Sequence, residues 1–346
     1  MADCLGFSVY LSTFEDQRPV FKDWGNRNAP VFLSLNMGKG AADPKEAERI
    51  CHGLAERGFR IIADVSTETC ELFGETDLLG LATRLKLWAL RIDYGFTPEE
   101  ISAMAEAMPV VLNASTTDPE EAKQIFRSGS RVFALHNFYP RPETGLDEQM
   151  LLETTKNLQK AGLKVQAFIP GDSQKRGPIF EGLPTLEAHR RVLPSAAFAD
   201  LSIRYHMDDI FVGDPGISEK EQGRIRLFCE EGILSVPAYL QEDCAWLYEK
   251  TFTCRVDSPQ WIVRFEESRT TQKPPVLPES SGAEPRPRGT ITMDNLSYGR
   301  YAGEIQMVRR ELKSDSRVNV IGRVQEEAEI LMDLIRGGQK FRLVRP

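Results

Sequence analysis

The chain has 346 residues, enough for one large domain or two unequal ones. With 43 Lys and Arg against 51 Asp and Glu, its net charge is −8. That balance argues against a general binder of nucleic acid or of an anionic membrane, which needs a basic surface. No apolar run exceeds five residues (Cys244 to Tyr248), so no segment reads as a bilayer span.

Met-Ala-Asp-Cys at the start lacks the basic and apolar regions of a secretory signal, so a cytoplasmic location is expected. The six cysteines form no CxxC pair and are expected as reduced thiols.

In chain order, short apolar runs rich in β-branched residues alternate with helical stretches. The runs are Gly6–Ser12, Val31–Asn36, Arg60–Ser66, Leu90–Tyr94, Val110–Ser115, Val132–Asn137, Val165–Pro170 and Asp209–Asp214. Between the second and third, Pro44 to Gly58 places Ala47, Ile50, Cys51 and Leu54 at helical spacing and stops at a glycine. Thr97-Pro98-Glu99-Glu100 and Asp118-Pro119-Glu120-Glu121 each read as an N-cap, a first-turn proline and first-turn acids. Eight such alternations in about 235 residues favour a (β/α)8 barrel over an open doubly wound sheet.

From about Val236 the rhythm stops. Ser258-Pro259 is expected to start a helix over Gln260–Glu267, and Thr270 to Gly289 reads as a proline-rich linker. Thr290–Met293, Glu304–Val308 and Val318–Gly322 read as strands and Glu326–Arg336 as a helix. The expected division is therefore a barrel domain over 1–235 and a smaller β domain over 236–346.

In a (β/α)8 barrel the functional groups sit at the C-terminal ends of the strands. There lie Ser12, Asn36, Asp64, Ser66, Asp93, Tyr94, Asn113, Ser115, His136, Asn137, Asp172 and Asp214. A Schiff-base lysine is not expected, because Lys39 and Lys175 fall beyond the strand ends. Nor is a histidine-rich metal site, since His136 alone of four histidines is at the rim. Met37-Gly38-Lys39-Gly40 lacks P-loop spacing. Carboxylate chemistry without a metal remains, which suits glycoside hydrolysis. Two loops are dense in functional groups. His136 to Gly145 carries two aromatics, Arg141 and Glu143; Ile169 to Thr185 carries Asp172, Lys175, Arg176 and Glu181.

The string HNFYPRPETGL (His136–Leu146) resembles the hallmark of the bacterial 6-phospho-N-acetylmuramidases. So do GFSVYLS near the start, LRIDYGF (Leu90–Phe96), LNAST (Leu112–Thr116), IPGD (Ile169–Asp172), KRGPIFEGLPTLEAHR (Lys175–Arg190) and VGD (Val212–Asp214). RPRGTITMDNLSYGRYAGEIQMVRREL (Arg286–Leu312) and VNVIGRV (Val318–Val324) continue the resemblance into the second half. It implies a TIM-type barrel followed by a cyclophilin-like β-barrel. It also implies cytoplasmic cleavage of 6-phospho-N-acetylmuramic acid from N-acetylglucosamine in peptidoglycan recycling. Two positions depart from the family's pattern. Strand two ends in Ser34-Leu35-Asn36-Met37-Gly38-Lys39 where members commonly read like SLHIPE, and Leu135 stands where an aromatic often precedes the HN pair. A glycosidase with another phosphosugar substrate and a catalytically silent phosphosugar-binding protein therefore stay open.

The expected site follows. Asp64, Asp93, Glu143 and Asp214 are to include the general acid and its partner, with Glu143 first choice for the acid. Asp93 shares a strand face with Arg91 and is expected to stay ionised. Asn113, His136, Asn137, Arg141, Asp172, Arg176 and Arg300 are to bind substrate, with Arg176 and Arg300 on the phosphate. At most one of His136 and Asn137 can face the pocket, because adjacent strand residues point oppositely. The expected partner is a small phosphorylated amino-sugar disaccharide, with no metal, cofactor, nucleic acid or membrane; a homo-oligomer is left open.

Overall fold

The computed structural model describes residues 5–21, 28–36, 43–126, 131–269, 276–277 and 285–346. Met37-Gly38-Lys39-Gly40 and most of the expected linker lie outside them. Contacts divide the chain into two units, Met1–Ser218 and Glu219–Pro346. The sequence had put the division at 235/236. The difference is the helix Glu219–Glu231, which packs on the first strand of the second unit.

The first unit holds eight parallel strands that close into a barrel in sequence order. They are β1 (Leu5–Val9), β2 (Pro30–Ser34), β3 (Arg60–Val65), β4 (Ala89–Ile92), β5 (Val110–Asn113), β6 (Val132–Leu135), β7 (Lys164–Ile169) and β8 (Asp209–Val212). Each expected strand is present. The closing seam pairs Leu5, Gly6 and Phe7 with Ile210, Phe211 and Val212. At Gly6 a Cβ would fall 2.4 Å from the Phe211 ring, so glycine is what lets that ring fill the barrel.

The helix signals act as read. Asp43 caps Pro44–Glu56, Thr97 and Glu100 form a capping box on Pro98–Ala107, and Asp118 accepts two N–H groups at the start of Pro119–Ile125. The barrel interior is a buried cluster of Phe32, Ile62, Ala89, Val111, Leu135, Phe168 and Phe211. On each strand the next inward position toward the C-terminal end is two residues on. From β2 to β6 those positions are Ser34, Asp64, Arg91, Asn113 and Asn137, and after β7 and β8 they are Pro170 and Gly213. Above the apolar floor, the layer is polar on the β2–β6 side.

The second unit is a seven-stranded sheet of β9 (Leu234–Leu240), β10 (Thr251–Thr253), β11 (Ile262–Arg264), β12 (Thr290–Asp294), β13 (Ile305–Val308), β14 (Val318–Val324) and β15 (Lys340–Val344). Their order is β10-β15-β9-β14-β12-β13-β11. The sheet curls until its edges meet at one bridge, Cys254 to Phe265. The rings of Phe252, Phe265 and Phe341 pack inside the curl.

The expected helix over Gln260–Glu267 is corrected to strand β11 and a 3-10 turn, Glu266–Arg269. Ile262 and Val263 pair with Val308 and Met307, and the buried Arg309 guanidinium takes the carbonyls of Pro259 and Ile262. Tertiary partners thus use carbonyls that a helix would engage itself. Glu326–Arg336 is likewise broken, into a 3-10 turn (Glu326–Ala328) and one helical turn (Leu331–Leu334).

Cys51, Cys70, Cys244 and Cys254 are free thiols, as expected of them, and Cys4 lies outside the described residues. Among the described residues, no helix is long and apolar enough to cross a membrane.

Candidate active site

Asp64 lies next to the end of β3 and Arg91 sits beside it on β4, in direct register. Arg91 Nη1 donates to Asp64 Oδ1 at 2.6 Å and Nη2 to Asn137 Oδ1 at 2.5 Å. Asp93, two residues along the same face, lies 3.9 Å from Nη1. Asn36, just past β2, places Nδ2 3.5 Å from Asp64 Oδ2 and 3.4 Å from Asp93 Oδ2. Four strand ends therefore converge on one group of two carboxylates, one guanidinium and two amides.

Access differs across the group. The Arg91 side chain is 5% exposed, Asp64 14% and Asp93 34%, so Asp93 faces the mouth and Arg91 lies beneath. Burial pushes the Asp64 carboxyl above the usual carboxylate range; Arg91 opposes that push and the Asp93 charge adds to it. Two acids in unequal surroundings, coupled through one cation, can divide the roles of proton donor and ionised partner.

Phe138 follows Asn137 and drops onto the barrel floor, 5.0 Å from the Phe168 ring and 6.4 Å from Phe32. Over it lies Arg176, whose guanidinium is 5.5 Å from the Phe138 ring centre and 5.1 Å from that of Tyr10. Two aromatic faces hold the cation by its planes. The Tyr10 hydroxyl donates to the Gly213 carbonyl, and burial raises its pKa. Tyr10 and Phe138 stood inside the family-like strings, but nothing local marked them as the walls of a cation site.

Several expected residues do other work. His136 turns outward and is fully buried, with Nε2 3.2 Å from Thr155 Oγ1 on the helix Glu148–Lys160 and Nδ1 3.5 Å from Ser115 Oγ. Burial lowers its pKa to about 3, so the ring is neutral. Asn137, its neighbour, is the one that faces inward. Asp214 is 2% exposed; its oxygens accept the backbone N–H groups of Gly171, Arg176 and Leu183 at 2.8, 3.0 and 3.0 Å. It organises the loop after β7 and has no exposed face to offer as an acid. Burial raises its pKa while those N–H groups pull it down.

Glu143 is exposed, in a left-handed turn at φ 70°, so the desolvation expected to make it a proton donor is missing. The turn is held from elsewhere. Glu187 accepts the N–H groups of Glu143 and Gly145 at 2.9 and 2.8 Å. Arg190 grips Glu187 by a two-nitrogen fork and donates to the carbonyls of Tyr139, Arg141 and Gly182. Hydrogen bonds from Arg190 hold the Glu187 carboxyl down at about 2. The Glu187–Arg190 clamp, three residues apart in LEAHR, went unread because only the tertiary fold shows what it grips.

Arg141 is exposed at the tip of this loop, and Asn113 uses Oδ1 on the Ser115 N–H. Asp172 ties down Ser218, accepting its N–H and hydroxyl, each at 2.7 Å. Arg300 belongs to the second unit, where it donates to the Tyr301 hydroxyl at 2.8 Å and lies over that ring. Among the described residues, no three His, Cys, Asp or Glu side chains gather to hold a metal ion.

Comparison with known proteins adds two kinds of match. Residues 5–226 match the family model described as 6-phospho-N-acetylmuramidase, N-terminal, and residues 235–344 match the one described as 6-phospho-N-acetylmuramidase, C-terminal. A conserved Enterococcus faecalis protein of unknown function, known as a crystal structure, is 32% identical over 99% of this chain and 96% of its own, with a TM-score of 0.83. An uncharacterized B. cereus protein shares the fold at 22% identity and a TM-score of 0.79, with complete coverage of both chains. Among curated proteins, none matches this chain.

Proposed function

The chain belongs to the 6-phospho-N-acetylmuramidase family, and from that premise we propose that it is a glycoside hydrolase. Its proposed substrate is a disaccharide of 6-phospho-N-acetylmuramic acid and N-acetylglucosamine, cleaved in the cytoplasm during recovery of peptidoglycan fragments. One observation carries the reading: Asp64 and Asp93 share Arg91 and Asn36 at the barrel mouth, where a glycosidic oxygen can enter between a donor and an ionised carboxylate.

In this reading Asp64, whose protonated form burial favours, gives its proton to the leaving oxygen. Asp93, nearer solvent, is the carboxylate that supports the oxocarbenium-like centre or activates water. Arg91 takes up the charge left on Asp64 after the transfer. Arg176, held between Tyr10 and Phe138, is the proposed donor to the 6-phosphate, and Asn137 and Asn113 are proposed to meet sugar hydroxyl or acetamido groups.

Incubating the protein with the phosphorylated disaccharide should release free N-acetylglucosamine. Tight binding of the product phosphosugar without release would instead mark a silent binding protein. Absence of both binding and release would overturn the substrate class.

A further inference from the structure

Asn36 is half-buried and its amide is used on both sides. Nδ2 reaches the two carboxylates, Asp64 at 3.5 Å and Asp93 at 3.4 Å. Oδ1, on the opposite side, accepts the Thr69 hydroxyl at 3.1 Å. Thr69 is 2% exposed and opens the short helix Thr69–Phe73. Its Oγ1 accepts the Ser66 N–H at 2.9 Å while its own N–H returns to the Ser66 carbonyl at 3.1 Å. A hydroxyl carries one proton and the Ser66 N–H already occupies an acceptor position, so that proton goes to Asn36. Turning the amide over would set its oxygen against two carboxylates. Both facts fix the same orientation.

We infer that Thr69 and Asn36 form a positioning unit, in which Thr69 holds the Asn36 amide so that one neutral, non-titrating donor sits between Asp64 and Asp93. The inference rests on the reading of those two acids as the reacting pair. Among the described residues, the charged groups facing the pair are Arg91 from β4 and each acid on the other; β6 supplies the uncharged Asn137. The amide therefore offers the pair a donor without adding a second positive charge. Thr69 touches no substrate; it acts through Asn36.

The test follows the side-chain carboxyl carbons of Asp64 and Asp93 by 13C NMR against pH in the unliganded protein. Thr69→Val keeps the side chain's shape and removes the hydroxyl. The pair's apparent midpoints should then rise by about 0.5–1 pH unit, as expected for loss of one long hydrogen bond of ordinary strength. Thr69→Ser should restore them. Asn36→Ala should give the same rise, and the double variant no more than either single one. Unmoved midpoints in Thr69→Val or Asn36→Ala overturn the unit, as does a Thr69→Ser protein that titrates like Thr69→Val. Should Thr69→Val fail to fold, Asn36→Ala at its half-exposed position decides alone. The titration needs no substrate, so it stands apart from the reaction. Full turnover by Asp64→Asn and Asp93→Asn would instead overturn the reading on which the unit rests.

Discussion

Asp64 and Arg91 are register partners on adjacent parallel strands, and their side chains close a 2.6 Å ion pair with 14% and 5% of their surfaces exposed. A buried pair of this kind adds little net stability, because desolvating both charges offsets their attraction, but breaking it on one side is costly. Arg91→Met strands the Asp64 carboxylate and should destabilise the barrel by about 3–5 kcal/mol at neutral pH. That loss should shrink as pH falls, because Asp64 takes up a proton and its uncompensated charge disappears. Urea unfolding of wild type and variant at two pH values checks both the size and the trend.

The two acids that touch Arg91 should separate cleanly from the two that do not. Asp64→Asn and Asp93→Asn should each lower turnover of the phosphorylated disaccharide by about 10²–10⁴-fold. Glu143→Gln, altering an exposed side chain in a turn held by its backbone, should stay within a few-fold of wild type. Release of N-acetylglucosamine under saturating substrate is the measurement, and a large loss in Glu143→Gln alone would reverse the assignment.

Asp214 accepts three backbone N–H groups, so its removal should be felt as loop order. Asp214→Ala leaves those donors without their acceptor, at about 1–3 kcal/mol for each that stays buried and unpaired. The expected outcome is a lower Tm with early proteolytic cleavage between Gly171 and Leu183, the span the carboxylate ties together. Limited proteolysis followed by mass spectrometry locates the cut.

Arg176 is the described cation placed over the aromatic floor of the mouth by Tyr10 and Phe138. Arg176→Ala should weaken binding of a 6-phosphosugar by about 1.5–3 kcal/mol and leave the unphosphorylated sugar nearly unaffected. Calorimetric titration with both ligands distinguishes this from a general loss of the pocket, which would weaken them equally. The same comparison on Arg300→Ala tests the second unit's expected share in phosphate binding.

His136 gives a pH signature with a definite sign. Its pKa is lowered from 6.5 to about 3, so above 6.5 neither folded nor unfolded chain carries the proton and nothing is lost. As pH falls below 6.5 the unfolded chain binds a proton that the folded one refuses until about pH 3. Relative to His136→Gln, the wild type should lose about 1.4 kcal/mol of stability per pH unit across that window. Equilibrium denaturation at pH 7, 6 and 5, as a difference between the two proteins, removes the contribution of every other group.

Much of the fold was legible because its signals are local. Strand and helix alternation, the caps at Asp43, Thr97 and Asp118, and the glycines and prolines between elements act over a few residues, and the barrel contains them as read. Where a distant partner competed, as at Gln260–Glu267, the local signal lost. Ser258-Pro259 resembles a helix start, but β13 and the Arg309 guanidinium draw that segment out as a strand.

Length and the order of apolar runs favoured a closed barrel over an open sheet, with a β domain after it, and the motif strings pointed to the family. They also placed Asp64, Asp93, Asn137 and Arg176 at the strand ends and loops where function concentrates. Which of those groups meet was decided only in three dimensions. Both faces of a parallel barrel strand are buried, so inward and outward residues are alike apolar and the sequence carries no mark of which is which. That single choice of face turns Asn137 toward Arg91 and His136 away to Thr155. The contacts that define the site join residues 27 and 46 apart along the chain, brought side by side only when the strands close.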